Sequence, residues 1–130
     1  MRRLATLVDQ ASEVIVITDT NGIIQYVNPA FEKITGYSAA EVIGQNPRIL
    51  KSNSQNHAFY QNLWQTIKAG NKWQGIFINK RKNGEIFYEE AAIFPIRDET
   101  GKIVNFAAIK SDITQERELE QQLKQMQKEK

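Results

Sequence analysis

Cysteine is missing from all 130 residues, which excludes disulfides, thiolate metal sites and cysteine nucleophiles. The absence is compatible with a reducing compartment, so a cytoplasmic location is expected, with any membrane anchor elsewhere in a longer protein. Histidine is nearly missing too, His57 being the single one. No apolar run approaches the ~20 residues of a membrane span, no secretory leader is visible, and no direct membrane contact is expected. Neither sign of charge dominates. Seventeen Lys and Arg against fifteen Asp and Glu leave +2, too little for a nucleic-acid face. Lys80, Arg81 and Lys82 read as a solvated hairpin end. The carboxylates lack metal-ligand spacing, and neither a glycine-rich phosphate loop nor a nucleophile elbow occurs. No catalytic activity is expected.

What is present is an ordinary globular composition, 41% hydrophobic and 25% charged, which argues against disorder outside the ends. Leu4, Leu7, Val8 and Ala11 fall at helical spacing and predict a short amphipathic helix over 4–11. Residues 13–18 and 23–27 read as strands joined by Asp19-Thr20-Asn21-Gly22. Asn28 before Pro29 predicts an N-cap and a helix that stops at Gly36. Ser38 with Glu41 is a capping box for a second short helix ending near Gly44. Phe59, Leu63, Trp64 and Ile67 share one face of a longer helix over 56–69. Strands follow at 73–82, 85–97 and 102–112, with turns at Asn83-Gly84 and Asp98-Glu99-Thr100-Gly101. The expected fold is α+β with one five-stranded antiparallel sheet and short helices on one face. Residues 115–130 contain no glycine or proline. Leu119, Leu123 and Met126 follow a coiled-coil seam, and the Thr114 hydroxyl or the Asp112 carboxylate is expected to cap that helix. The chain ends inside this polar helix, which reads as a fragment of a longer protein.

The order of these features resembles the PAS family. The residues that carry it are Asp19-Thr20-Asn21-Gly22, Asn28-Pro29-Ala30-Phe31, Ile34-Thr35-Gly36-Tyr37, Glu41-Val42-Ile43-Gly44, Trp73, Asn83-Gly84, Pro95-Ile96-Arg97-Asp98 and Asp112-Ile113-Thr114. The resemblance covers about residues 5–114, followed by a signalling helix. It implies an N-terminal helix over 1–12, a PAS sensor domain over 13–114 and the start of a C-terminal helix over 115–130. Gly44-Gln45-Asn46-Pro47-Arg48-Ile49-Leu50, Phe59-Tyr60, Leu63-Trp64 and Trp73 with Asn79 look like flavin-binding PAS domains of bacterial redox sensors. The pattern is also similar to PAS domains that precede histidine kinases and diguanylate cyclases.

In such domains ligands bind between the sheet and the short helices. Alternation puts Trp73, Gly75, Phe77, Asn79 and Arg81 on one face and Gln74, Ile76 and Ile78 on the other. The strand's middle is apolar on both sides, which predicts cover on both, by helices and any ligand on one, by the N-terminal helix or a second subunit on the other. The resemblance places Asn79 where flavin-binding members carry a flavin-contacting asparagine; otherwise its amide is satisfied by backbone or water. Trp64 stacks on the ring system or serves as plain core. Arg48 reaches a phosphate or lies solvated, and Asn46 belongs to the same stretch. Glu89 and Lys110 stand where light-sensing members have an asparagine and a glutamine. They pair with each other, or Lys110 reaches an anionic ligand, or both lean out to solvent. Phe77 and Phe87, with Phe106, Ile93 and Trp64, are bulky enough to fill the pocket themselves.

Light-sensing members need a cysteine where this chain has Pro47, so cysteine-adduct photochemistry is excluded. Haem is not expected, because His57 falls in the first turn of its helix. The reading is therefore a sensory, signal-transducing module that binds a small ligand, with FAD and redox sensing as the named candidate. The alternative is a ligand-free PAS module for dimerisation and relay. The expected partners are a second copy, through residues 4–11 and 115–130, and a covalently linked effector domain.

Overall fold

A computed structural model describes residues 12–128. Two hairpin strands open the fold, β1 (Val14–Thr18) and β2 (Ile24–Val27). Helices α1 (Pro29–Thr35) and α2 (Ala39–Val42) follow, then a short 3-10 turn (Pro47–Leu50) and α3 (His57–Lys68). Strands β3 (Trp73–Lys80), β4 (Ile86–Arg97) and β5 (Ile103–Asp112) form a meander, and α4 (Thr114–Lys128) ends the described chain. The sheet is five-stranded, in the order β2-β1-β5-β4-β3, and antiparallel throughout. This is the expected α+β architecture. The helix expected over 4–11 lies outside the described residues.

Local chemistry explains the boundaries. Asp19 Oδ1 accepts from the Asn21 and Ile23 N–H groups at 2.9 Å each and closes the β1–β2 turn. Asp98 Oδ1 does the same for Thr100 and Lys102, an Asx turn that replaces missing backbone partners. Asn28 is fully buried. Its side chain accepts from Phe31 N at the N-terminus of α1 and from Ile15 N, and donates to Glu13 O. One amide thus caps a helix and pins it to β1. The Ser38–Glu41 capping box forms. Glu41 also takes a 2.6 Å bond from Lys82 Nζ, and that bond, with the Ser38 N–H, holds its carboxyl at about 2.

The core lies between the inner face of the sheet and helices α1–α3. Val14, Val16, Phe31, Val42, Leu63, Ile67, Phe77 and Phe106 are all buried there. Phe31 is 0% exposed, a side chain whose removal typically costs about 3–5 kcal/mol. The outer face is different. Ile76 and Ile109 are each 37% exposed among the described residues; the cover expected there, the N-terminal helix or a second subunit, lies outside them. β3 is one edge of the sheet, and residues 51–55 seal it. Gln55 accepts from Ile78 N and donates to Ile76 O, both at 2.9 Å, while Ser52 Oγ donates to Ile78 O. Lys51 forms a bridge to Asn79. An edge strand covered in this way no longer offers a free backbone template.

Three local details complete the comparison with expectation. β3 stops at Lys80 rather than 82, because Lys82 N turns away to bond Thr35 O on α1. The 3-10 turn was not foreseen. Asn46 Oδ1 caps it through Arg48 N, with Pro47 at its first position. Of the two caps expected for α4, the Asp112 carboxylate is the one that forms, its Oδ1 accepting from Thr114 N at 3.0 Å, while the Thr114 hydroxyl accepts from Tyr88 N of β4 at 2.9 Å.

Candidate functional site

Strands β3, β4 and β5 each turn one polar side chain toward the helices. These are Asn79, Glu89 and Lys110, which are 3%, 0% and 5% exposed. Asn79 Nδ2 donates to Glu89 Oε1 at 3.0 Å, and Lys110 Nζ stands 3.6 Å from the same oxygen. The two charges therefore pair with each other and do not lean out. Alternation explains the meeting, because Phe77 and Glu89 are cross-strand partners and Lys110 lies opposite Ala91, next along the inner face of β4. The pairing is incomplete. Glu89 Oε2 is buried without a partner, and no hydrogen bond reaches Lys110 Nζ from the described residues. Desolvating two charges is repaid only when further bonds satisfy them.

A cavity of about 110 Å³ lies beside this trio, between sheet and helices. Val16, Phe77, Ile93 and Ala108 form its sheet wall, and Tyr60, Leu63, Trp64 and Ile67 of α3 form its helix wall. Asn79 and Lys110 supply the polar end, while Gly22, Asn46, Pro47, Arg48 and Lys51 complete the loop side. Trp64 packs edge-on to Phe106, with ring centroids 6.2 Å apart. It also leans over Gly22. A Cβ there would come within 2.6 Å of Trp64 Cη2, and Gly22 has φ +83°, so glycine is required twice over.

Asn79, Trp64, Phe77, Arg48, Asn46 and Lys110 thus come together on one cavity. Arg48 is exposed at its mouth. The Asn46 carbonyl oxygen is engaged in the cap of the 3-10 turn. Glu89 sits behind Asn79 and Lys110 and is not part of the lining. Phe87 corrects an expectation. It shares the inner face but lies toward the β3–β4 turn, 4.4 Å beneath the Arg81 guanidinium, and does not line the cavity. Phe106 backs Trp64 rather than filling the space itself.

The residues missed by sequence reasoning are Lys51 and the role of Tyr60. Lys51 Nζ lies 3.8 Å over the Tyr60 ring. The Tyr60 hydroxyl is buried without a partner, and burial raises its pKa. Tyr60 precedes Leu63 and Trp64 by three and four residues, so the helical face already contained the signal. Lys51 sits in a loop, where no periodicity could reveal it.

A second cluster joins the sheet to α4. Arg81 was expected to be solvated, yet it is half-buried. Its guanidinium donates to Ile34 O of α1 at 2.7 Å, to Asp112 Oδ2 at 3.0 Å and to Glu85 Oε1 at 3.1 Å. Burial pushes the Asp112 carboxyl up. The bonds from Thr114 and Arg81 outweigh it and hold the pKa below its ordinary value. Beyond this junction α4 stands clear of the domain, with Leu119, Leu123 and Met126 all more than half exposed.

For FAD, the residue types agree but the space does not. Ligand pockets usually run from about 300 Å³, and an apolar cavity of about 150 Å³ holds one benzene ring. An isoalloxazine does not fit beside Trp64 and Lys51 as they stand. No helix among the described residues is long and apolar enough to cross a membrane.

The comparisons with known proteins agree with this geometry. The sequence profile of the PAS domain matches residues 12–115. A nitrogen fixation regulatory protein of Klebsiella oxytoca is 39% identical over 119 residues, 92% of this chain and 24% of that protein. The chain thus spans about a quarter of that relative. The structure of an RNA-binding Light-Oxygen-Voltage receptor superposes with a TM-score of 0.86 at 31% identity, covering 98% of this chain and 36% of that one. The PAS domain of a protein from Colwellia psychrerythraea gives 0.81 at 28% identity, covering 88% and 97%. A five-stranded sheet, a cavity under its helices and a helix leaving its last strand go with a profile match over most of the sequence: the chain belongs to the PAS domain family of sensory and signal-transduction modules.

Proposed function

We propose that this domain senses a small ligand in the cavity between sheet and α3 and relays its state through α4 to a linked effector domain. The observation that carries the reading is continuity. Asn79 in the cavity wall on β3 and Arg81, just past the end of that strand at the α4 junction, lie two residues apart. A ligand that displaces Asn79 therefore strains the bond from Arg81 to Asp112, the residue that caps α4.

FAD is the named ligand. Asn79, Trp64 and Arg48, which the family resemblance links to flavin, all line the cavity. Binding then requires Trp64 and the 44–51 loop to move outward. The purified protein tests this directly. Flavin absorbance that follows the folded protein through gel filtration, and weakens in Asn79→Ala, supports FAD; a protein that stays colourless after refolding in the presence of FAD excludes it.

The small cavity favours a second reading, a ligand-free module for dimerisation and relay. In both readings Leu119, Leu123 and Met126 form a seam for a second copy in a parallel homodimer. A cytoplasmic, non-catalytic role goes with either.

A further inference from the structure

The cavity carries a charge pattern that a neutral ligand does not use. Three cations line it, Arg48, Lys51 and Lys110, and no carboxylate does. Glu89, the nearest acid, is sealed behind the polar end. Lys51 is engaged over the Tyr60 ring at 3.8 Å, and Arg48 is exposed at the mouth. Lys110 is the unusual one. Its side chain is 95% buried at the cavity wall, with Nζ 4.9 Å over the Phe77 ring, yet Nζ has no hydrogen bond from the described residues and its one counter-charge is 3.6 Å away. That carboxylate oxygen is already shared with Asn79. An ammonium has three donors to place, and a buried cation with unmade hydrogen bonds is costly.

We infer that this cavity is a binding site for a small organic monocarboxylate with an apolar body no larger than a single ring. The carboxylate accepts hydrogen bonds from Lys110 Nζ at the polar end. The body lies among Val16, Leu63, Ile67 and Ile93, in a space of about 110 Å³, somewhat below the ~150 Å³ of a cavity that holds benzene. Charge-assisted bonds of this kind are the strong ones. The inference rests on reading this cavity as a ligand site, and it does not depend on FAD.

Benzoate and benzamide separate the contributions of charge and shape. Each is titrated into the whole domain, freed of any co-purified chromophore, with binding read by calorimetry and thermal shift. Benzoate is expected to bind at least tenfold tighter than benzamide and to raise the melting temperature. The Glu89→Gln, Lys110→Met double variant, which leaves no unpaired buried charge, is expected to abolish that preference while staying folded. Equal affinity for the two compounds overturns the inference. So does failure of benzoate to bind at millimolar concentration, or equal stabilisation by inorganic phosphate at matched ionic strength. If the double variant does not fold, the benzoate-to-benzamide ratio in the unaltered domain decides alone. Flavin content is read separately by absorbance, so a colourless protein that prefers benzoate refutes FAD and leaves this site standing.

Discussion

Arg81 and Asp112 meet at 3.0 Å across the whole width of the intervening strand β4, with the Phe87 ring beneath the guanidinium. The contact joins the ends of β3 and β5, and the same carboxylate caps α4 through Thr114. One half-buried ion pair thus holds the exit helix to the sheet. Arg81→Met is expected to cost about 1–3 kcal/mol, since Asp112 and the Ile34 carbonyl each lose a charged donor. Amide exchange should rise most in the first turn of α4. Uniform exchange across the domain would show that the pair does not hold the helix.

Acid exposes the same contact from its other side. Unfolded Asp112 titrates near ~3.9, and the folded carboxyl lies lower. Its contribution is therefore fully present above about pH 4 and is lost as pH falls through the folded value. The stability difference between the wild type and Asp112→Asn, from denaturant midpoints, should be constant at neutral pH and shrink in acid. A difference that grows on acidification would refute the assignment.

The pair formed by Glu89 and Lys110 should behave as a buried unit. Lys110→Met alone leaves a carboxylate in the core without its cation and is expected to cost about 3–5 kcal/mol. Replacing both, as Glu89→Gln with Lys110→Met, should cost much less. A double-mutant cycle by chemical denaturation measures the coupling, and additive effects would mean that the two charges are independent.

Gly22→Ala probes the Trp64 wall. The positive φ alone costs about 1 kcal/mol or more, and the added Cβ would meet Trp64 at 2.6 Å. The indole must move, and tryptophan fluorescence should shift. An unchanged spectrum would mean that the cavity is not held closed at this point.

The exposed seam on α4 predicts dimers. Leu119→Asp with Leu123→Asp should shift the sedimentation of the domain toward monomer at tens of micromolar. If wild type and variant are both monomeric, the seam is no contact between copies.

Much of this was legible in the residues themselves. Asp-Thr-Asn-Gly and Asp-Glu-Thr-Gly dictate turns through side-chain acceptors, and Asn28-Pro29 and Ser38 with Glu41 dictate helix starts, because each signal acts within four residues. Strand alternation put Asn79 on the inner face with Phe77, and the family resemblance put Glu89 and Lys110 beside it. What alternation cannot tell is where along that face the helices leave room. Phe87 is in phase with Asn79, yet it ends under Arg81, because the cavity is bounded by α3 and the 44–51 loop. Lys51 was invisible because it sits in a loop, where no periodicity applies. The solvated reading of Arg81 failed because its partners, Ile34 and Asp112, are 47 and 31 residues distant, and charge runs say nothing about distant acceptors.

The seal on the edge of β3 sets an order of events. Gln55, Ser52 and Lys51 fasten the loop beside the cavity to the strand that carries Asn79. Once they are in place, anything larger than one ring must break several backbone contacts to enter from that side. Before they close, while the chain is still folding, it need break none. A bulky cofactor would then be acquired at folding and retained by slow exchange, and refolding in its presence would load far more than soaking the finished protein. A small carboxylate faces no such barrier, so this domain would report on it within the time of an ordinary encounter.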